Sequence, residues 1–571
     1  MEKYFLRKRN HWWIDSGIAG IYYIINEYKD MLVNHHIKMS SDEKRDTLVF
    51  EYSDKECLRA FFLECYNKLA EKYWNVSTSK QRETKELVIY DKESGQLNLA
   101  AKRTPTPVAS LFVGARSWRG DGIPYNDMDE ELRLKVDSFL KENNRSLWGS
   151  KKILLFQPPV CHQQINILPI QKTKKNLETC CICGIQTPDY SEVGLPSYLL
   201  FASNSAAKSF NSQAQSPAKI CWECDFLAKF ALEAVNYKKT KTDLYIIQAY
   251  SPNLERLVNI QKTMGAGSFM RKIDDSFFWS NIKSDKNSLV SKSDRPYELL
   301  WAFFYDIFDI LNNESTKEES NSEGGLFLDF ISEIHSFPLQ VYLMHTSESG
   351  DTFITRELII YQDTGYAFRL LDHLKDHGID IKLFFNCLWD SDRDKDQNLV
   401  REKVLRNVLK KRSVLDILEE YCFKKIINQA GFFNIAVMLE FVRNYEPKVR
   451  EDCMDKTQIE TAVNLGKQIV ISATESVQEE IQADKSKKEN LLKKLRGDLF
   501  TLRKTRTKTD FLTQLNNLQF RYGIAVSNEI LSGILEQVDY EEFKAYCIMG
   551  ALNSYSFEMS KVRNNSPKEG K

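Results

Sequence analysis

Cys180, Cys183, Cys221 and Cys224 form two Cys-x-x-Cys pairs. Four thiolates gathered from two tight turns make the tetrahedral cage that Zn²⁺ prefers. In Cys180-Cys181-Ile182-Cys183-Gly184 the spacing takes Cys180 and Cys183 as ligands and turns Cys181 away. Gly184 suits the left-handed position of a metal knuckle, where backbone N–H groups face the sulfurs. Ordinary buried thiols are the plainer alternative, but the doubled spacing favours metal. The 37 residues between the pairs require a loop or small subdomain clipped by the ion. A site closed by four sulfurs has no open coordination position, so it is expected to be a staple without reaction chemistry.

A second signal is cationic. Lys485, Lys487, Lys488, Lys493, Lys494, Arg496, Arg503, Lys504, Arg506 and Lys508 are opposed within the run only by Glu489 and Asp498. On a helical wheel Leu491, Leu495, Leu499 and Leu502 form one stripe, with Lys493, Lys494, Arg496, Arg503 and Lys504 on the other side. Solvated helix faces usually mix signs. A one-sided excess in an otherwise neutral chain is what tracking a phosphate backbone requires.

Other patterns fail on chemistry. His373 and His377 have i, i+4 spacing, but Leu374 stands where a zinc protease needs Glu. Asp390, Asp392, Asp394 and Asp396 resemble the start of a calcium loop, yet Lys395 and Arg401 occupy the positions of its glycine and closing glutamate. A solvated acidic loop is expected there. Met264-Gly265-Ala266-Gly267-Ser268 lacks the third glycine and the lysine of a phosphate loop. No catalytic constellation emerges, and the chain is read as a non-enzyme.

The elements that must carry these residues follow from pattern. The opening His11 to Ile14 reads as a short strand, followed by a turn and an apolar helix through Tyr28 capped by Asp15 or Ser16. A helix from Lys55 to Trp74 puts Leu58, Phe61, Phe62, Cys65 and Leu69 on one face. The sequence from Ala101 to Tyr125 is rich in turn residues. Lys152 to Phe156 and Leu244 to Ile247 read as strands. The sequence after Cys224 reads as a helix opened by the second knuckle, and 201–218 as a mobile loop. Asn312 to Gly325 is polar enough to be a flexible connection. Tyr342 to Asn386 alternates strands with a helix, and helical periodicity dominates from Glu402 onward.

The expected fold is therefore α+β and multidomain: a mixed αβ N-terminal region (1–172), an inserted zinc module (173–237), a middle αβ and helical region (238–437) and an all-α C-terminal bundle (438–571). Over 571 residues, 79 basic and 79 acidic side chains cancel, so nucleic-acid binding must come from local patches. MEKYFLRKRNHWW lacks the apolar core of a signal peptide. With twelve cysteines, this points to a reducing, cytoplasmic setting.

The two-pair cysteine module, the αβ surroundings and the closing helical bundle resemble the large subunit of type I-B CRISPR Cascade complexes. Trp13-Ile14-Asp15-Ser16-Gly17-Ile18-Ala19-Gly20 is similar to that family's N-terminal motif, and Asp510 to Gly523 to its C-terminal helices. The resemblance implies a subunit of an RNA-guided ribonucleoprotein for antiviral defence, bound to crRNA-bearing backbone subunits. It would read a protospacer-adjacent motif in duplex DNA, aid strand separation and hold the displaced strand. It would also dock an effector, a nuclease-helicase or a transposition adaptor. In such assemblies guide pairing reads sequence while protein reads a short motif and the backbone. The basic run, with Lys487, Lys488, Lys493, Lys494, Arg496, Arg503, Lys504, Arg506 and Lys508 as contacts, suits the displaced strand. Arg116, Arg119, Gly265, Gly267 and Ser268 are candidate motif readers because they sit in turn-rich segments. Relatives make a separate small subunit by internal initiation, for which Met454 is better placed than Met438. The rival reading is an independent zinc-ribbon regulator or processing factor, which needs a basic surface around its knuckles.

Overall fold

The computed structural model describes residues 2–42, 46–73, 86–101, 122–147, 152–156, 165–169, 177–193, 218–240, 243–263, 289–315, 339–349, 352–391, 395–428, 434–475, 485–531 and 533–564. The chain forms two compact units, one of residues 1–291 with 328–364, the other of 292–327 with 365–571. The architecture is α+β, with every described strand in the first unit and a helical C-terminal region. No helix among the described residues is long and apolar enough to cross a membrane. Unit boundaries fall at 291, 327 and 364, whereas the sequence suggests divisions near 172, 237 and 437.

In the first unit, β1 (Glu2–Arg7), β2 (Lys38–Ser41) and β3 (Thr47–Tyr52) make an antiparallel sheet with β3 central. α1 (Trp12–Glu27) and α3 (Lys55–Tyr73) pack into one core with it, while α2 (Asp30–Asn34) is a single short turn. α3 buries Leu58, Phe61, Phe62, Cys65 and Leu69, the face its periodicity predicts. α1 has almost no polar side: Trp13, Ile14, Ile18, Ile21, Ile24 and Ile25 are all buried. A helix apolar around most of its circumference belongs at the centre of a core. The expected strand at His11 to Ile14 is instead the first turn of α1. His11 is the cap, its Nδ1 accepting from the Ile14 N–H. Asp15 lies one turn inside, buried, where it accepts from the Arg9 N–H (2.6 Å) and the Tyr250 hydroxyl (2.9 Å).

A second sheet has the order β5 (Leu97–Ala101), β4 (Glu86–Tyr90), β7 (Ile153–Leu155), β6 (Gly122–Pro124), with α4 (Glu130–Glu142) packed beside it. The third is an antiparallel meander of β12 (Asn236–Lys239), β13 (Asp243–Tyr250), β14 (Gln340–Ser349) and β15 (Thr352–Tyr361), accompanied by α6 (Leu254–Thr263). The cysteine segment contributes two small ribbons, β8 (Glu178–Thr179) with β9 (Gln186–Thr187) and β10 (Tyr190–Glu192) with β11 (Lys219–Cys221). β11 leads into α5 (Trp222–Phe230). That helix stops at Phe230, passes through a 3₁₀ turn and becomes β12, so Val235-Asn236-Tyr237 is not the helical continuation its apolar content suggests.

The described elements of the second unit are helices: α7 (Pro296–Ser315), α8 (Thr364–Asp376, entering from the first unit), α9 (Ile381–Cys387), α10 (Leu399–Leu409), α11 (Leu415–Ile427), α12 (Ile435–Val449), α13 (Lys456–Glu475), α14 (Lys485–Arg503), α15 (Lys508–Tyr522), α16 (Asn528–Leu531) and α17 (Tyr540–Asn564). Residues 312–315, expected to be flexible, extend α7. α17 is the axis, packed by α11, α12, α13 and α14. α13 and α17 cross closely because Gly466 faces the Cys547 carbonyl and Gly550 faces that of Val463.

Candidate metal centre and the basic helix

The four predicted ligands converge. The sulfurs of Cys180, Cys183, Cys221 and Cys224 all lie within 4.8 Å of one another, and Cys183 Sγ is 3.7 Å from Cys221 Sγ. Zinc bonds of about 2.3 Å in a tetrahedron require sulfur separations of about 3.8 Å, so the cage has the right size.

Each pair is built by local backbone chemistry. In the first knuckle the Gly184 N–H donates to the Cys180 carbonyl (2.9 Å) and the Cys180 N–H to that of Ile185 (3.0 Å). Gly184 takes φ +73°, the left-handed value the sequence anticipates. Cys181 is exposed, and its N–H ties the knuckle to the Lys219 carbonyl (2.9 Å). In the second pair Cys221 is the N-cap of α5, its sulfur accepting from the Cys224 N–H (3.5 Å). One side chain thus serves as ligand and helix cap, and α5 directs its positive dipole end at the sulfur cluster.

Hydrogen bonding among the four sulfurs sets their acidities against one another. Cys180 is lowered by hydrogen bonding from Cys221, and Cys183 is drawn down to about 6 by that from Cys224. The donors move the other way: Cys221 is pushed up to about 12 by Cys180, and Cys224 is raised by the same neighbour. Four sulfurs gathered at this spacing are a donor set suited to a soft or borderline dication. The residues fit a structural metal ion.

What fixes this cage to the first unit lies far away in sequence. A Cβ on Gly17 would stand 1.9 Å from the Leu227 carbonyl oxygen, and one on Gly20 would stand 1.8 Å from that of Phe230. The glycines of α1 therefore let α5 cross at backbone contact. Trp13 Nε1 donates to the Ala228 carbonyl (3.0 Å), the Tyr4 hydroxyl donates to Glu223 (2.5 Å), and Arg9 pairs with the same carboxylate. The opening motif and the cysteine module are one packing unit. Leu177, Ile185 and Tyr190 leave the module with exposed apolar side chains, a feature their scattered positions conceal in the sequence.

The basic run is divided. Leu492, Leu495, Leu499 and Leu502 are its buried stripe, with Leu492 in the place expected of Leu491. Arg503 makes two hydrogen bonds to the buried Glu419 (2.7 and 2.9 Å). Lys488 pairs with Glu558 (2.9 Å) and Lys508 with Glu536 (3.0 Å), while Arg496 donates to the Ile427 carbonyl (3.4 Å). These four are engaged within the unit. Lys493, Lys494, Lys504 and Arg506 are exposed, Lys493 beside Glu489 and Lys504 over the Phe500 ring at 4.1 Å. Lys487 lies in the first turn of α14.

The acidic loop also differs from expectation. Asp390 pairs with the buried Lys425 (2.7 Å) and Asp396 with Arg295, so both ends are tied into the helical unit and not simply solvated. Arg116, Arg119, Gly265, Gly267 and Ser268 lie outside the described residues, as do Asp392, Asp394 and 201–217. Compared with protein-family models and with curated proteins, the sequence matches none.

Proposed function

We propose that this chain is the large subunit of a type I-B-like RNA-guided Cascade complex, with Zn²⁺ in the four-cysteine cage as a structural staple. It binds crRNA-bearing backbone subunits, engages target duplex and displaced strand, and docks a nuclease-helicase or a transposition adaptor, without catalysis of its own. The observation that carries the reading is the union of the Trp13–Gly20 motif with the cysteine module: the two features that resemble the family are one packed structure. The exposed Leu177, Ile185 and Tyr190 are apolar side chains on the module that a subunit contact could cover. The independent zinc-ribbon reading is less well supported. Among the described residues beside the knuckles, Lys219 is paired with Glu192 (3.1 Å) and Arg9 with Glu223, which leaves little unpaired cationic surface in that part.

DNA contact is assigned to Lys493, Lys494, Lys504 and Arg506, which are exposed, whereas Lys488, Arg496, Arg503 and Lys508 are engaged within the unit and the side chains of Lys485 and Lys487 lie outside the described residues. The test is co-expression with Cascade backbone subunits and a guide, followed by target binding over a range of salt. Reversing those four to Glu should weaken binding to all sequences alike. The slope of log affinity against log salt should fall by up to about 0.7 for each single-strand phosphate the helix no longer neutralises. Motif preference should stay unchanged, because base reading needs directed hydrogen bonds in a groove. Failure to co-purify with RNA and backbone subunits would refute the assignment. Co-purification with an unchanged salt slope would refute only the role of α14.

A further inference from the structure

A pair of histidines outside the cysteine cage lies ring beside ring on one helix. His373 and His377 sit one helical turn apart at the end of α8, their ring centroids 4.1 Å apart. They help line a cleft of about 900 Å³ in the helical unit, together with Glu440, Asn444, Lys448 and Glu460. Each ring has one nitrogen against a backbone carbonyl. His373 Nε2 lies 3.3 Å from the Asn444 oxygen, and His377 Nδ1 lies 2.8 Å from the His373 oxygen. A carbonyl only accepts, so each of these nitrogens must carry the proton. In neutral imidazole that leaves the lone pair on the other nitrogen, Nδ1 of His373 and Nε2 of His377. Metal-binding histidines are held in this way: the second ring nitrogen donates to a carbonyl or carboxylate, which fixes the tautomer and makes the ligand more basic.

The surroundings of His373 also disfavour its charged form. Burial, then Lys448 and the neighbouring His377, lower the pKa of His373. Two imidazolium rings at this separation would repel, whereas one dication bound by both lone pairs removes the conflict. Asp376 opposes the charge of Lys448 near the site.

We propose that His373 and His377 form a second metal site that chelates a divalent first-row transition ion, with its remaining positions open to water or a small ligand in the cleft. The site differs in kind from the cysteine cage. It has two nitrogen donors, is open, and should exchange its ion readily. Two imidazoles without thiolate should follow the usual order of divalent affinity, with Ni²⁺ bound more tightly than Co²⁺.

The experiment uses the full chain with its cysteine cage first loaded with Zn²⁺, titrated with Ni²⁺ by calorimetry. One Ni²⁺ should bind without release of zinc. His377→Ala, at an exposed position, should weaken that binding about tenfold or more, a loss comparable to that from disturbing a ligand shell. His35→Ala with His36→Ala is the control, since His35 is already paired with Glu64 (2.6 Å), and should leave Ni²⁺ affinity unchanged. Absence of a Ni²⁺ equivalent overturns the proposal. So does equal affinity in the parent and His377→Ala, or loss only in the His35/His36 variant.

Discussion

Gly17→Ala should detach the cysteine module from its support without emptying it. The new methyl would stand 1.9 Å from the Leu227 carbonyl oxygen, where an ordinary contact is about 3.4 Å, so α1 and α5 must separate by about 1.5 Å. Overpacking costs ~1–3 kcal/mol, here ~2–3 because the obstructing atom is backbone that cannot swing aside, against roughly 1 kcal/mol returned by the better helix propensity of alanine. We expect a net destabilisation of about 1–2 kcal/mol. Hydrogen exchange read by mass spectrometry should show the α1 and α5 amides exchanging about 5–30 times faster, with those of α13 and α17 unchanged. Metal content should remain one equivalent, because β10, β11 and both knuckles move together with α5. Adding Gly20→Ala should cost less than it does alone, since the first substitution has already opened the crossing. The internal standard is Gly497→Ala on α14, where a Cβ meets nothing within 4 Å. That change should stabilise its helix by about 0.5–1 kcal/mol. Unchanged exchange in Gly17→Ala, or equal destabilisation by Gly17→Ala and Gly497→Ala, would show that the close crossing does not determine stability here.

Cys221→Ser should reduce zinc from one equivalent per chain to well below it, measured by atomic absorption, and should also fray α5 because the cap is altered along with the ligand. Glu298 is buried in the first turn of α7, and burial raises its pKa to about 7 despite the nearby Arg401. Its contribution to stability is fully present below about pH 4.5 and is lost as pH rises through 7, a change on the order of 3 kcal/mol. Glu298→Gln should flatten the urea midpoint of the helical unit across that window, and an unflattened profile would exclude Glu298 as the source. Internal initiation at Met454 should yield a short product visible by mass spectrometry and abolished by Met454→Leu. The Met454 N–H already donates to Glu542 (3.2 Å), so a new amino terminus there would replace Arg450 as that carboxylate's cationic partner.

Legibility in the sequence follows the range of the interaction. The cysteine spacing, the Gly184 turn and the apolar face of α3 are set by neighbours within a few residues, and the sequence displays them. The start of α1 is harder to place because Asp15 is a better cap than His11 by type. Tertiary bonds to Arg9 and Tyr250 draw that carboxylate inside the helix instead. Leu491 and Leu492 both fit the same stripe, and only packing separates them. The basic run looks uniformly available in sequence because Glu419, Glu536 and Glu558, which take up three of its cations, lie elsewhere in the chain. The same distance hides the contact of Gly17 and Gly20 with α5, some 200 residues away.

The discontinuity of the first unit has a consequence for synthesis. β13 pairs with β12 on one side, but its other edge waits for β14, which begins roughly 90 residues later, after α7 of the second unit has been made. At ~5–20 residues per second a ribosome needs on the order of 5–20 s to supply the missing strand. During that interval Leu244-Tyr245-Ile246-Ile247 presents an apolar strand with open backbone donors and acceptors, a template for pairing with another chain. Translation speed through 251–339, and any chaperone that covers this edge, should therefore govern the yield of native protein more than the stability of the finished fold does.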